Sequence, residues 1–204
     1  MTDKEMAMSE PNFKNAESMF RSTGAVLDGH FLLTSELHSP VYWEKFRILE
    51  HPEYTRQLCS MIADHFRADN IDVVAGPTTG GIILAFEVAK QLGVRCIFAE
   101  KEENGKRGFR RGFILNAGER VLVVDDVLTT GKSVKEVLEA VKNKNGCVVG
   151  AGVLVDRSDH DLKLGYPLFS CLRSVTPVYT AEECPLCKRG MPLVKPGSSQ
   201  QPQD

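Results

Sequence analysis

The segment Val121–Val134, VLVVDDVLTTGKSV, concentrates residue types that handle a sugar phosphate. Asp125 and Asp126 end an apolar run, and Val127, Leu128, Thr129, Thr130, Gly131, Lys132 and Ser133 follow before a helical pattern begins. Hydroxyls and backbone N–H groups at a helix start can wrap a phosphate, and the helix dipole favours the anion. Adjacent carboxylates repel phosphate, so they must serve another part of the same ligand. Vicinal ribose hydroxyls donate to a carboxylate, whose charge also stabilises positive charge at an anomeric carbon. Singly, such residues cap helices and make turns. As an ordered unit after an apolar strand, they point to a ribosyl-phosphate site. Gly131-Lys132-Ser133 also matches the end of a nucleotide P-loop, but Asp126 stands where that motif needs its first glycine, among the phosphates.

Positioning such a loop requires alternating strands and helices. Apolar spacing predicts a helix over Asn12–Thr23 with Gly24 as its stop, then an irregular hairpin in HFLLTSELHSPVYW around Ser39-Pro40, read together as an appendage. From Glu53 the pattern alternates: a helix carrying Tyr54, Leu58, Met61, Ile62 and His65, strand IDVVAGP, a helix opened by Gly80 and Gly81, strand RCIFAEK, and a charged loop EENGKRGFRRG. Val121–Asp126, a helix through Val141 and strand CVVGAGVLVDRS complete the series. Apolar strands divided by amphipathic helices specify an α/β fold with an open parallel sheet flanked by helices, because parallel connections need long crossovers. Strand-like LFSCLRS and VTPVYTA follow. The expected organisation is one domain over 1–204, with a small hood from 12–52 and 162–195, a core over 53–161, and disorder at 197–204.

At 204 residues, 42% hydrophobic and 25% charged, the chain can bury a full core unaided. Its formal charge of -2 gives no broad electrostatic reason to bind nucleic acid or a membrane surface. The start MTDKEMAMSEPNF lacks a signal-peptide pattern, and no segment reaches the roughly 20 apolar residues that span a bilayer. A cytoplasmic protein with a small-molecule ligand is expected. Cysteines 59, 96, 147 and 171 lie among apolar neighbours, as reduced core residues do. Cys184-Pro185-Leu186-Cys187 is half of a zinc motif, but no second C-x-x-C or H-x-x-x-H accompanies it. A metal there would need histidines brought from afar or a partner chain, and His30, His38, His51, His65 and His160 read as isolated. No metal is therefore expected on protein side chains.

VLVVDDVLTTGKSV closely resembles the phosphoribosyl-pyrophosphate signature of type I phosphoribosyltransferases. The resemblance implies a five-stranded parallel core under a hood, Mg²⁺ held mainly by the substrate, and transfer of ribosyl phosphate to a nitrogenous base. Inversion through an oxocarbenium-like state releases pyrophosphate. Similarity to the orotate phosphoribosyltransferases runs from Gly24 to Ser158. Phe31-Leu32-Leu33-Thr34-Ser35 is similar to their F-x-L-K-S element, Ser39-Pro40-Val41-Tyr42-Trp43 to their base-contacting stretch, and Gly76-Pro77-Thr78-Thr79-Gly80-Gly81 to their pyrophosphate loop.

By that resemblance Asp125, Asp126 and Lys101 are catalytic, and residues 125–133 with Thr79, Gly80, Lys101 and Lys106 bind phosphoribosyl pyrophosphate. Thr129, Arg157, Tyr42 and Trp43 contact orotate, the arginine fork matching a carboxylate. Two family lysines are replaced, by Thr34 and at Thr79-Gly80, which leaves Lys45, Arg47 or the Lys101–Arg111 loop to compensate pyrophosphate. Glu100–Arg111 is expected to be a mobile lid shared across a homodimer, with Asn104 and Lys106 in place of a family lysine and histidine. A purine acceptor, or a non-catalytic regulator that binds phosphoribosyl pyrophosphate, remains the alternative.

Overall fold

The computed structural model describes residues 11–33, 35–103, 105–158 and 162–196, with side chains from residue 15 onward. Thr34, Asn104, His160, the Phe13 side chain and the tail at 197–204 lie outside the described residues. Helix α1 (Pro11–Ser22) is followed by Gly24, whose φ of +67° is the left-handed stop that favours glycine. The antiparallel pair β1 (Val26–Leu32) and β2 (His38–Trp43) follows, then α2 (Phe46–Leu49) and α3 (Pro52–Phe66). The alternating part comprises β3 (Val73–Pro77), α4 (Gly80–Leu92), β4 (Arg95–Lys101), β5 (Arg107–Phe109), β6 (Arg120–Leu128), α5 (Lys132–Asn143) and β7 (Cys147–Asp156). Strand β8 (Leu168–Arg173) and the one-turn α6 (Pro185–Lys188) complete the chain.

The six-stranded sheet has the order β5-β4-β3-β6-β7-β8, parallel throughout except for β5. Strand parity divides the core. Val74, Leu122 and Val124 face α3 and α4, while Val73, Ala75, Val121 and Val123 face α5. Both faces are covered, as the continuous apolar strands require. Among the described residues no helix is long and apolar enough to cross a membrane.

Several sequence expectations shift. Ala16, Met19, Phe20, Ala25 and Trp43 pack in one cluster with Leu58, Ile62 and Val74, so the N-terminal region joins the core and is no appendage. The hairpin turns at Leu33–Leu37, where Leu33 N–H donates to the Leu37 carbonyl, rather than at Ser39-Pro40. Pro40 fits within β2 because a two-stranded sheet leaves N–H groups unpaired on its edges. Leu168–Arg173, expected in the hood, pairs with β7 as the last parallel strand, because its alternate residues Phe169 and Cys171 join the core. VTPVYTA makes only a single bridge, Tyr179 to His38. The charged loop after β4 folds back as β5, with Glu102 N–H bonded to the Lys106 carbonyl at 2.7 Å.

Candidate active site

Strand β6 delivers Asp125 and Asp126 to its carboxyl end, where open α/β sheets bind ligands. Both side chains are buried. Asp125 accepts the Asp126 N–H at 2.9 Å and the Ser133 hydroxyl at 2.6 Å, so it ties the strand end to the first turn of α5. Burial, then the neighbouring Asp126 charge, pushes the Asp125 carboxyl up to about 6. Between these anchors the chain reverses through Thr129, Thr130 and Gly131. Gly131 caps α5 at φ +71°, and a Cβ there would strike Leu162.

This loop lines a cavity of about 270 Å³ with Lys101, Arg107, Val127, Lys132, Ser133 and Glu136. Thr129, Thr130 and Lys132 are exposed to it, whereas the Leu128 side chain is buried in the core and leaves only its backbone for a ligand. Of the cations proposed to replace the missing lysines, three reach the site: Lys101 in the cavity lining, Lys45 and Arg107. Lys45 Nζ sits 3.0 Å from both Asp126 oxygens. Arg107 donates to Thr78 Oγ1 at 2.9 Å and pairs with Glu136 at 3.2 Å, bridging the β3–α4 loop and α5. Arg47 pairs with Glu50, and Arg111 with Glu100, on the surface. Lys106 is exposed on the hairpin and does not line the cavity.

Thr79 and Gly80 open α4 across from Asp126. A Cβ on Gly80 would collide with the Asp126 carboxylate, so glycine is what allows β6 and the β3–α4 loop to meet there. The Thr78-Thr79 bond is cis.

A second cavity of about 530 Å³ shares Thr129 and Thr130 with the first and is lined further by Leu32, Leu33, Tyr42, Arg157, Thr176 and Val178. Asp156 secures the β7 end by accepting the Ser158 N–H and hydroxyl at 2.9 and 2.7 Å, which sets Arg157 at the cavity wall. Tyr42 lines this cavity. Trp43 does not: it is buried edge-on against Phe20, with ring centroids 5.3 Å apart, because consecutive strand residues point to opposite faces. The walls from Thr176 and Val178 carried no signal in the sequence, since each is an ordinary residue brought in by the fold. The histidines read as isolated are not all so. His30 and His38 meet Cys184 and Cys187, so the fold brings from afar the histidines that a metal at the C-x-x-C pair would need.

An α/β protein with an anion loop beside paired buried carboxylates is the class defined here. A family model described as the phosphoribosyl transferase domain matches residues 46–180, and the chain belongs to that family of transferase enzymes. The orotate phosphoribosyltransferase of Pelotomaculum thermopropionicum is 52% identical over 181 residues, 89% of this chain and 95% of the relative. That of Desulforamulus reducens is 50% identical over 182 residues, with the same coverage of 89% and 95%. The crystal structure of orotate phosphoribosyltransferase from Aeropyrum pernix aligns with TM-score 0.65 and 29% identity, covering 78% of this chain and 92% of that one. An adenine phosphoribosyltransferase from Thermoanaerobacter pseudethanolicus aligns with TM-score 0.58 and 21% identity over 66% of this chain and 88% of its own, a likeness of fold alone.

Proposed function

We propose that this chain transfers ribosyl 5-phosphate from phosphoribosyl pyrophosphate to orotate, giving orotidine 5′-monophosphate and pyrophosphate in pyrimidine nucleotide synthesis. The observation that carries this reading is the pair of adjoining cavities that share Thr129 and Thr130. One is lined by an anion-binding loop and cations, the other by an aromatic ring and an arginine. A donor and an acceptor held on either side of one threonine pair have their reacting atoms brought together, which removes the entropic cost of encounter. Relatives about half identical over most of their length, named for orotate, support the choice of acceptor.

In this reading Val127–Ser133 form the 5-phosphate site, with backbone N–H groups from Thr129 to Ser133 as its donors, since the Val127 N–H is bonded to Asp126. Asp125 and Asp126 accept the ribose hydroxyls, Lys45 moving off Asp126 to admit them. Lys101 and Arg107 compensate the charge that builds on the leaving pyrophosphate as its bond to the anomeric carbon breaks. The Asp126 carboxylate stabilises the positive ring while the bond to the base nitrogen forms on the opposite face and the proton of that nitrogen passes to the departing pyrophosphate or to solvent. Arg157 meets the orotate carboxylate, Thr129 its polar edge and Tyr42 its ring. The carboxylate oxygens of Asp125 and Asp126, the latter opposed by half-exposed Lys45, are hard donors of the kind that suit Mg²⁺. The ion would supply charge neutralisation on the diphosphate, with Asp125 and Asp126 holding it through the ribose hydroxyls.

A homodimer in the cytoplasm completes the proposal. Ile83 and Phe86 on α4 and Phe46 on the adjoining α2 are exposed apolar side chains of the kind that second subunits cover. Pyrophosphate release measured with orotate, adenine, guanine and xanthine, each with and without Mg²⁺, tests the reading. Release with orotate alone, dependent on the ion, is expected. Turnover of a purine without orotate would reject the acceptor, and ligand binding without release from any base would reject the enzyme.

A further inference from the structure

Away from the two cavities, residues distant in sequence converge. His30 in β1, His38 at the start of β2, and Cys184 and Cys187 bracketing the first turn of α6 each bring one ligand atom within 4.8 Å of all the others. His30 Nε2 lies 2.9 Å from His38 Nδ1, 3.5 Å from Cys184 Sγ and 3.7 Å from Cys187 Sγ, and Cys187 Sγ is 3.3 Å from His38 Nδ1. Zinc bonds of about 2.0–2.1 Å to nitrogen and 2.3 Å to sulfur, at tetrahedral angles, place neighbouring nitrogen and sulfur ligands about 3.5 Å apart and paired nitrogens about 3.3 Å apart. The nitrogen–sulfur distances bracket that value. Of these four pairs only the two histidines must open, by a few tenths of an ångström, and the remaining pairs lie within 4.8 Å.

We propose that His30 Nε2, His38 Nδ1, Cys184 Sγ and Cys187 Sγ bind one Zn²⁺ in a closed, structural site. Its surroundings fit. His30 Nδ1 lies 2.9 Å from the Met191 carbonyl, an acceptor only, so the proton sits on Nδ1 and Nε2 presents its lone pair to the centre. His30, His38 and Cys184 are buried, while exposed Cys187 gives the ion a way in. The Cys184–Cys187 segment is folded by its own backbone: Lys188, Gly190 and Met191 N–H groups donate to the carbonyls of Cys184, Cys187 and Leu186. A hydrogen-bonded histidine pair accounts for the 2.9 Å contact without metal, but it gives two weakly bonding thiols no reason to converge on the same nitrogens.

Such a metal would staple the C-terminal segment to the hairpin. That segment is otherwise joined to it by backbone bonds, Leu32 N–H to the Val194 carbonyl, Val194 N–H to His30, and the reciprocal pair between His38 and Tyr179. It also supplies Thr176, Val178 and Pro196 to the larger cavity. Loss of metal therefore loosens a wall of that cavity and spares the phosphate loop. This consequence rests on the cavity being the acceptor pocket; the metal assignment does not.

The test uses the full chain, purified without chelator or histidine tag, with metal content measured by mass spectrometry and with Co²⁺ exchanged for the native ion. About one zinc per chain is expected, together with the visible bands of tetrahedral cobalt and near-ultraviolet thiolate-to-cobalt charge transfer. Cys184→Ser and Cys187→Ser should each lower occupancy and change that spectrum. Folded wild-type chain with no zinc and no charge-transfer band after cobalt is supplied would overturn the site. So would a Cys184–Cys187 disulfide, or full occupancy in both variants. Stripping the zinc with a chelator that is then removed, and assaying with Mg²⁺ restored, should raise KM for orotate several-fold while leaving KM for phosphoribosyl pyrophosphate near its starting value. A zinc-loaded chain that turns over no base would reject the enzymatic reading and leave the metal site standing.

Discussion

Residues Asp125–Ser133 come from one strand end, one turn and the first turn of one helix, whereas the cavity beside them draws Leu32, Leu33, Tyr42, Arg157, Thr176 and Val178 from separate stretches of chain. The loop holds its own shape: Asp125 bonds to Asp126 N–H and Ser133, and Gly131 provides the reversal. The cavity is assembled from stretches that lie far apart in the chain. Its walls keep their places only because the hairpin and the C-terminal segment are tied to each other and to the sheet. A contiguous site is robust to changes elsewhere, and an assembled one is open to loss from any of its supports.

The sharpest way to break the first half of that contrast is Asp126→Asn. It removes the charge opposite the anomeric carbon without changing shape, and kcat for pyrophosphate release should fall by about 10²–10³-fold, the usual scale for a lost transition-state electrostatic contact. Circular dichroism should be unchanged. Retention of full activity would remove Asp126 from the reaction. Gly80→Ala should follow in size. Its new methyl meets the Asp126 carboxylate, so KM for phosphoribosyl pyrophosphate should rise by about tenfold, corresponding to about 1.4 kcal/mol of displaced binding.

For the assembled cavity, two neighbours in β2 separate support from contact. Trp43→Ala, which empties a buried site against Phe20, should cost about 3 kcal/mol in urea unfolding while the orotate KM of the folded fraction holds. Tyr42→Ala should do the reverse, raising that KM several-fold at nearly unchanged stability. Equal effects from both would show that the strand's two faces are not distinct in function.

The smallest expected effect is a pH dependence. Asp125 in the folded chain titrates at about 6, above its ordinary 3.8, so between those values the folded state binds more protons than the unfolded state. Its contribution is fully present below the lower value and is lost as pH rises through about 6. Thermal midpoints of the ligand-free chain should therefore fall more from pH 5 to pH 7 in the wild type than in Asp125→Asn. Parallel curves would mean that the folded environment does not raise this carboxyl.

How far each region was legible in the sequence follows from the same contrast. The α/β pattern and the helix stop at Gly24 are written in local spacing, and the structure agrees with them; the loop proposed to hold phosphate is contiguous in the same way. The β2 residues Tyr42 and Trp43 mark the limit: alternation dictates that they face opposite ways, but only the packing of Phe20 decides which one is buried. Likewise Lys45, Arg47 and the loop cations were equivalent as charges until the fold brought Lys45 to Asp126 and Arg107 to Thr78.

What the sequence by itself determined is therefore the class of fold and the loop from Asp125 to Ser133, because neighbouring residues and backbone geometry suffice to define them. Tertiary structure alone decided the larger cavity and the meeting of His30 and His38 with Cys184 and Cys187. Those groups are joined by chain reversal through a hairpin and a C-terminal return, and no local periodicity encodes a contact made across some 150 residues.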